Sequence, residues 1–415
     1  MNNQSNAAFS GNRVILGCIL YLFCAFGFVN ITGIAMGLMP EYYGVPVEKV
    51  VSSTSITTGV GIAAYFFNGP LYQKFSPRIM MIVGAILIFI CTVAMAIPSF
   101  TGLIIYRIVA GFIGSSCIHT LTTAVLVRWY SKELSSKIGL VVLFGVLGVS
   151  CFQFVSGAEL PKFGIGHWYI IAGAIATAVT LFSALVLVRN KPEDIGQKPY
   201  GYDPAEYEQQ TQKTMKSPME TTKMLAKMPV FWLTGLSIFL GAFAEVLFLS
   251  YATVYLPTTG LPYTTAATCV SLFVLIGSLV GLISGKIIDK MGLKPFVIMI
   301  YLSAAAACAM FALAKAVSSP IIIILLVLFS GFAYPVMMIN SFCSTPLFGA
   351  ELSDDANGKL GMFISTGCCL LNLMAAKIIA VSGFQIIYEI FIIFEIAALI
   401  IFLFALQIAK RKKEI

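Results

Sequence analysis

The sequence is poor in charge. Only 11% of its 415 residues are Asp, Glu, Lys or Arg, against about 25% in an average soluble domain, and 59% are hydrophobic. No soluble core hides that much apolar surface, which excludes a water-soluble globular fold. Histidine is scarcer still: two residues cannot build a multi-histidine metal centre. The ten cysteines lie almost wholly inside hydrophobic runs, where they read as small packing residues and not as a disulfide framework. A P-loop, zinc-ligand spacing and a strand-to-helix GxGxxG are all missing, so no cofactor or metal is expected. An enzyme would need a convergent nucleophile–base set, and none is visible. No secretory signal is expected, because the first dozen residues are polar and no small-residue cleavage pattern follows.

What the chain has is length in its apolar runs. Runs of about 20 residues recur, enough to cross roughly 30 Å of hydrocarbon. Twelve spans are expected, at about 13–38, 51–73, 78–97, 100–127, 136–158, 166–189, 229–257, 264–287, 294–315, 320–341, 357–380 and 384–409. The one long polar stretch, 190–228, is rich in charge, Gln and Pro and cannot form a packed core alone. The expected division is therefore a six-helix bundle over 1–189, a linker over 190–228 and a second six-helix bundle over 229–415. Most of the 26 lysines and arginines fall on one side if both termini are cytoplasmic, as the positive-inside rule asks. The net charge of +8 is then a topology signal with some affinity for anionic lipid, and nucleic acid is not an expected partner.

Two short basic turns sit in matching places. "GKIIDKMGLK" (285–294) separates the eighth and ninth spans, and "GPLYQKFSPR" (69–78) separates the second and third. Gly285 answers Gly69, Lys290 answers Lys74 and Lys294 answers Arg78, while Asp289 has become Gln73. Such repetition indicates two structurally similar halves, the plan of many secondary transporters.

With these turns, and with "YRIVAGFIGS" (106–115) in the fourth span, the sequence resembles the major facilitator superfamily. That resemblance covers the whole chain. It implies an all-α membrane fold of twelve transmembrane helices in two pseudo-symmetric six-helix bundles. It also implies that Gly69, Lys74, Arg78, Gly285, Asp289, Lys290 and Lys294 act as a conformational gate at the cytoplasmic helix ends. Arg13 before helix one, "KPEDIG" (191–196) and "MPVFWL" (228–233) are similar to bacterial organic-anion porters of the oxalate/formate and monocarboxylate type. Helix eight, however, has no basic residue before Lys286, and the middle of helix eleven reads "STGCCLL". Those departures argue against oxalate.

Ionisable groups inside hydrocarbon cost roughly 2.5–3.5 kcal/mol each on insertion scales, so each needs a reason. Glu245 lies some 20–24 Å along helix seven at 1.5 Å per residue. Ser237, Gly241, Glu245, Phe248, Ala252 and Tyr255 recur at helical spacing, a face suited to an aqueous cavity, with Glu245 as a proton carrier or a structural hydrogen-bonding group. Arg107 in helix four stays charged and suits a carboxylate clamp, against the alternative of bonding helix-end carbonyls. His119 can relay protons or pack neutral. Lys377 contacts substrate or snorkels. Asn30, Gln153, Tyr251, Asn340 and Asn372 stand on helices that line the superfamily's central cavity. Glu395 is deep, on a helix that is peripheral in the superfamily.

The expected function is secondary active transport of a small organic anion by alternating access, as proton symport or anion exchange. Arg107, His119, Glu245, Asn30, Gln153, Tyr251, Asn340, Asn372 and Lys377 would contact substrate, and Glu245 and His119 would couple protons. The alternative is proton-driven export of amphiphilic or drug-like compounds, with Glu245 attracting cations. The expected partners are a carboxylate, a proton or counter-anion and the lipid bilayer, with a monomer in the cell membrane.

Overall fold

A computed structural model describes residues 10–130, 133–201, 218–242, 247–317, 319–349 and 352–413, and they are almost entirely helical. Water is absent from hydrocarbon, so backbone groups must pair within each segment, and helices do this. Among the described residues nine helices are long and apolar enough to cross a membrane, or ten if the pair Glu220–Ala226 and Pro229–Gly241, bent by 82°, forms one span. Each of the twelve expected spans is met by a helix or a run of helical segments. They are α1 (Gly11–Ala35), α2 (Val47–Lys74), α3 (Pro77–Ala96), α4 (Phe100–Trp129), α5 (134–163), α6 (165–187), α7 (229–255, over its described residues), α8 (Tyr263–Met291), α9 (Leu293–Ala314), α10 (Pro320–Phe348), α11 (Ser353–Ser382) and α12 (Phe384–Lys413).

Specific residues set the corners. The run 134–182 is helical on both sides of Gly164, whose φ of 74° and ψ of 165° no helix contains. Trp168 Nε1 donates to Ser156 Oγ at 2.8 Å. Twelve residues of straight helix would hold those groups about 18 Å apart, so the chain turns back there and α5 and α6 are a hairpin. The two basic turns differ in their backbone. Between α8 and α9 only Gly292 intervenes, at φ 83°, a conformation that favours glycine. Between α2 and α3, Phe75 and Ser76 are extended, and Ser76 Oγ accepts from Ile79 N in front of Pro77, an ordinary N-cap. The first copy therefore has no use for a glycine at that corner.

Close packing within a half relies on missing side chains. A Cβ on Gly148 of α5 would collide with the backbone of Phe23 on α1, and one on Gly111 of α4 with the carbonyl of Thr57 on α2. Between the halves, contact concentrates on the side opposite the termini. Thr253 Oγ1 donates to Gly33 O at 2.7 Å, Tyr263 OH to Ile34 O at 2.8 Å, and Cys369 Sγ to Ser55 O at 3.5 Å. Ala267 of α8 faces Gly157 of α5. The pairs α1–α7, α2–α11 and α5–α8 thus close this face. The linker is not featureless: Pro192–Ile195 is a 3-10 turn, Tyr200 bridges to Tyr130, and Pro218–Ala226 is a short helix.

One buried carboxyl belongs to packing inside the second half. Glu395 of α12 is fully buried, and both its oxygens lack a hydrogen-bond partner among the described residues. One turn away, Ser237 Oγ of α7 donates to Ala398 O at 2.7 Å, so the Tyr301 hydroxyl, 2.9 Å from Ser237 Oγ, is the donor in that pair. That network uses its own atoms and leaves Glu395 outside it. An unsatisfied buried polar group costs about 1–3 kcal/mol, so Glu395→Met is expected to stabilise the fold by that order. A rise in the thermal unfolding midpoint checks it; a fall would mean that the carboxyl makes a bond the fold needs.

Candidate functional site

A cavity of about 180 Å³ lies between the halves, walled by α1, α2, α4, α5, α7 and α11. Its only charged lining residue among those described is Arg107. Gly111, one turn beyond, lets α4 close onto the backbone of α2 at Thr57, which brings the Arg107 head to Ser53. The hydroxyl of Ser53 donates to Val50 O at 2.6 Å, the back-bond common for serine in helices, leaving its lone pairs to accept Arg107 Nε at 3.3 Å. Arg107 is 4% exposed, and among the described residues its Nη2 has no hydrogen-bond partner. Among the described residues, the hydroxyls of Tyr106, Tyr169, Tyr43 and Tyr251 are near enough to act on its charge, and no carboxylate is. A buried charge without a partner destabilises by roughly 3–5 kcal/mol. The arrangement has the chemistry of an anion site.

The rest of the wall is polar but uncharged. Gln153 Nε2 donates to Asn30 O at 3.3 Å, and Gln153 Oε1 is buried without a partner among the described residues. Asn30 Nδ2 is taken by Phe26 O at 2.9 Å, and Asn372 Oδ1 accepts from the Tyr251 hydroxyl. Thr54, Thr57 and Thr58 bring hydroxyls from α2, and Thr57 Oγ1 is also buried with no partner among the described residues. Leu249, Ser250 and Cys368 complete the side given by the second half. The π-helical turns Ile113–Ile118 of α4 and Leu247–Tyr251 of α7 flank this region. Such turns carry irregular hydrogen bonding and recur at functional sites.

The structure brings Arg107, Asn30, Gln153 and Asn372 together in the cavity wall, with Tyr251 bonded directly behind Asn372. Asn340 is not in the wall; its Nδ2 donates to Asn357 Oδ1 at 2.8 Å on α11. Lys377 is exposed on α11 and does not line the cavity. His119 begins the helical segment after the π-turn of α4. Glu245 lies outside the described residues. The face expected to run through it faces elsewhere over its described members: Ser237 bonds Tyr301 and Ala398, Phe248 packs on Phe273 and Phe311, and Tyr255 OH donates to Phe311 O. These contacts lie inside the second half. The π-turn shifts the register, so Leu249 and Ser250 reach the cavity instead.

On the gate residues, Gly69 lies within α2 and Gly285 within α8, while Lys74, Asp289, Lys290 and Lys294 are exposed at the side carrying the termini. Asp289 makes no ion pair among the described residues. Arg78 is engaged within the first half, donating from Nε to Ala184 O at 2.9 Å. The threonines of α2 were missed in the sequence, although the run "SSTSITTG" (52–59) places Thr54, Thr57 and Thr58 at helical spacing on one face.

Two like helical halves around a polar cavity with one buried charge define a membrane transporter. Residues 18–347 match the family model described as Major Facilitator Superfamily, and the chain belongs to that family. A mutant of the nucleoside transporter NupG superposes with a TM-score of 0.74 at 14% identity, covering 94% of this chain and 99% of that one. A D-xylose–proton symporter superposes with a TM-score of 0.71 at 16% identity, over 95% and 97%. At such identities the likeness is one of fold. The chain is 22% identical over 206 residues to "MFS-type transporter 1" of Ophiocordyceps sp. (strain BCC 1869), covering 47% of this chain and 45% of that protein. With "MFS transporter asaE" of Aspergillus flavus it is 24% identical over 196 residues, 45% and 43%. The chain thus matches less than half the length of these curated relatives.

Gly33 sits where α1 approaches the carbonyl of Leu249 on α7, and backbone there cannot yield to a side chain. Gly33→Leu is expected to hold the halves apart on the closed face. In a chain whose only cysteine is Cys369, at that seam, an impermeant maleimide added from this face should label it several-fold faster. An unchanged rate would show that this approach does not close the seam.

Proposed function

We propose that this chain is a secondary active transporter for a small organic anion, a carboxylate, working by alternating access in the cell membrane with both termini cytoplasmic. The observation that carries the reading is Arg107: buried, lining the cavity between the halves, and with Nη2 unfilled among the described residues. Hydrogen bonds that join a guanidinium to a carboxylate are charge-assisted and directional. The unfilled Gln153 Oε1 and Thr57 Oγ1 support a ligand that also carries a hydroxyl donor. The volume of about 180 Å³ lies below the roughly 300–1,000 Å³ of pockets for drug-sized ligands. That supports the anion over export of larger amphiphiles.

In this reading residues 1–189 and 229–415 move as two monomer-forming bundles about the site, joined by the 190–228 linker. The exposed turns at Lys74 and Asp289 come together when the terminal side closes. Energy comes from a proton or from a counter-anion, with Glu245 and His119 as the proton-coupling residues.

Uptake of labelled small hydroxycarboxylates into proteoliposomes tests the site. Removing a hydrogen bond to a charged group costs about 1.5–3 kcal/mol, so Arg107→Gln should lower transport about 10- to 100-fold, with Arg107→Lys retaining part of it. Normal anion transport by Arg107→Gln removes the anion reading. Transport of cationic amphiphiles that survives the same substitution would put the export reading in its place. Coupling is tested separately: Glu245→Gln should abolish accumulation driven by an imposed pH gradient and leave anion exchange running. Gradient-driven uptake that persists in Glu245→Gln assigns the proton to another group.

A further inference from the structure

A second charged site lies at the side carrying the termini, where α1, α3 and α6 end together. The last turn of α6, Ser183–Leu187, is π-helical, and the last carbonyls of a helix lack partners within it. Arginines from three elements converge on it. Arg78 donates from Nε to Ala184 O at 2.9 Å and from Nη2 to Leu185 O at 2.5 Å. Arg13 donates from Nη2 to Val186 O at 3.1 Å, and Arg189 from Nη1 to Leu185 O at 3.4 Å. Arg78 and Arg189 both donate to Leu185 O, which sets two like charges side by side.

Carbonyl capping does not account for this much charge. A helix C-terminus is worth about half a negative charge, and three guanidiniums stand against it. Each guanidinium has five N–H donors, and Arg13 and Arg189 use one nitrogen apiece here. The nearest acids in sequence, Glu193 and Asp194, are exposed and pair with none of the three among the described residues. A pocket of about 310 Å³ opens beside them, lined by Ser10, Arg13, Leu187, Arg189, Ile195 and Gln197. The apolar side chains of Leu16, Ile79, Leu185 and Val186, next to the arginines on the same three helices, are exposed. A cation cluster continuous with an apolar helix surface, at the end of membrane spans, matches a molecule with a phosphate head and hydrocarbon tails.

We propose that Arg13, Arg78 and Arg189 form a binding site for the phosphodiester head group of an anionic phospholipid. The head occupies the pocket between Arg13 and Arg189, and the acyl chains lie along Leu16, Ile79 and Leu185. Bound there, the lipid offsets the mutual repulsion of the arginines and ties the ends of α1, α3 and α6 into one unit of the first half.

Native mass spectrometry and thermal unfolding of the full chain in phosphatidylcholine nanodiscs, with and without phosphatidylglycerol, test this site. Wild type should retain phosphatidylglycerol on release from the disc and unfold at a higher temperature with it. Arg13→Gln combined with Arg189→Gln should weaken retention at least ten-fold and remove the thermal gain. Lys410→Gln combined with Arg411→Gln removes equal charge elsewhere and should change neither. The Arg13→Lys variant, which keeps the charge, guards against a folding defect and should retain the lipid. Equal retention by the Arg13/Arg189 variant overturns the proposal, as does equal loss in the tail variant, which would make the effect one of diffuse charge. Inorganic phosphate or glycerol phosphate giving the same thermal gain in pure phosphatidylcholine would overturn the lipid as its source.

Discussion

Hydrocarbon gives a guanidinium nothing to bond to, and the centre of this molecule is arranged around that constraint. Arg107 stays charged and is almost wholly buried. Ser53 takes one of its nitrogens, and the hydroxyls of Tyr106, Tyr169, Tyr43 and Tyr251 are near enough to act on its charge. No carboxylate from the described chain reaches it. Left so, the cost is several kcal/mol, a large fraction of the stability of any fold. Such an imbalance is what the proposed anion would relieve, and alternating access would draw on that difference.

The ability to use it depends on how the halves meet. Helix association in a bilayer lacks a hydrophobic driving force and rests on close packing and interhelical hydrogen bonds. Gly33, Gly157 and the carbonyls of Gly33, Ile34 and Ser55 supply both along the closed face. On the side of the termini the charged turns are exposed. The described contacts join the halves on one face and leave the charged turns apart on the other, so in the proposed cycle a second arrangement would exchange which face is closed. A ligand bridging Arg107 on one half and the Leu249–Ser250 or Asn372 side of the other has differential affinity for the two arrangements, which is what shifts a conformational equilibrium.

Much of this was legible in the sequence. Apolar runs gave the spans, because the bilayer imposes their length. Arg107 was legible because a charge in such a run is rare and costly. Asn30, Gln153 and Asn372 followed from their helices. Other features were hidden by local backbone geometry. The Ser237–Tyr255 face was read at a uniform helical period, and the π-turn at Leu247–Tyr251 breaks that period. The threonines of α2 escaped because threonine in a helix commonly bonds its own backbone, as Thr54 does to Val51 O, and so resembles packing. The two basic turns read as copies, yet only the second needs a glycine at its corner, at Gly292. Nothing in the sequence distinguished Arg78 as a helix-end clasp from Arg78 as a gate.

The most direct measurement of closure around an anion is the distance between spin labels at positions 75 and 291, exposed on the terminal side of the two halves. In wild type, adding a small hydroxycarboxylate should shorten that distance, and in Arg107→Gln the same addition should leave it where it was. A wild-type distance that ignores the ligand, or a shortening that persists without the arginine, would contradict the central role given to that buried charge.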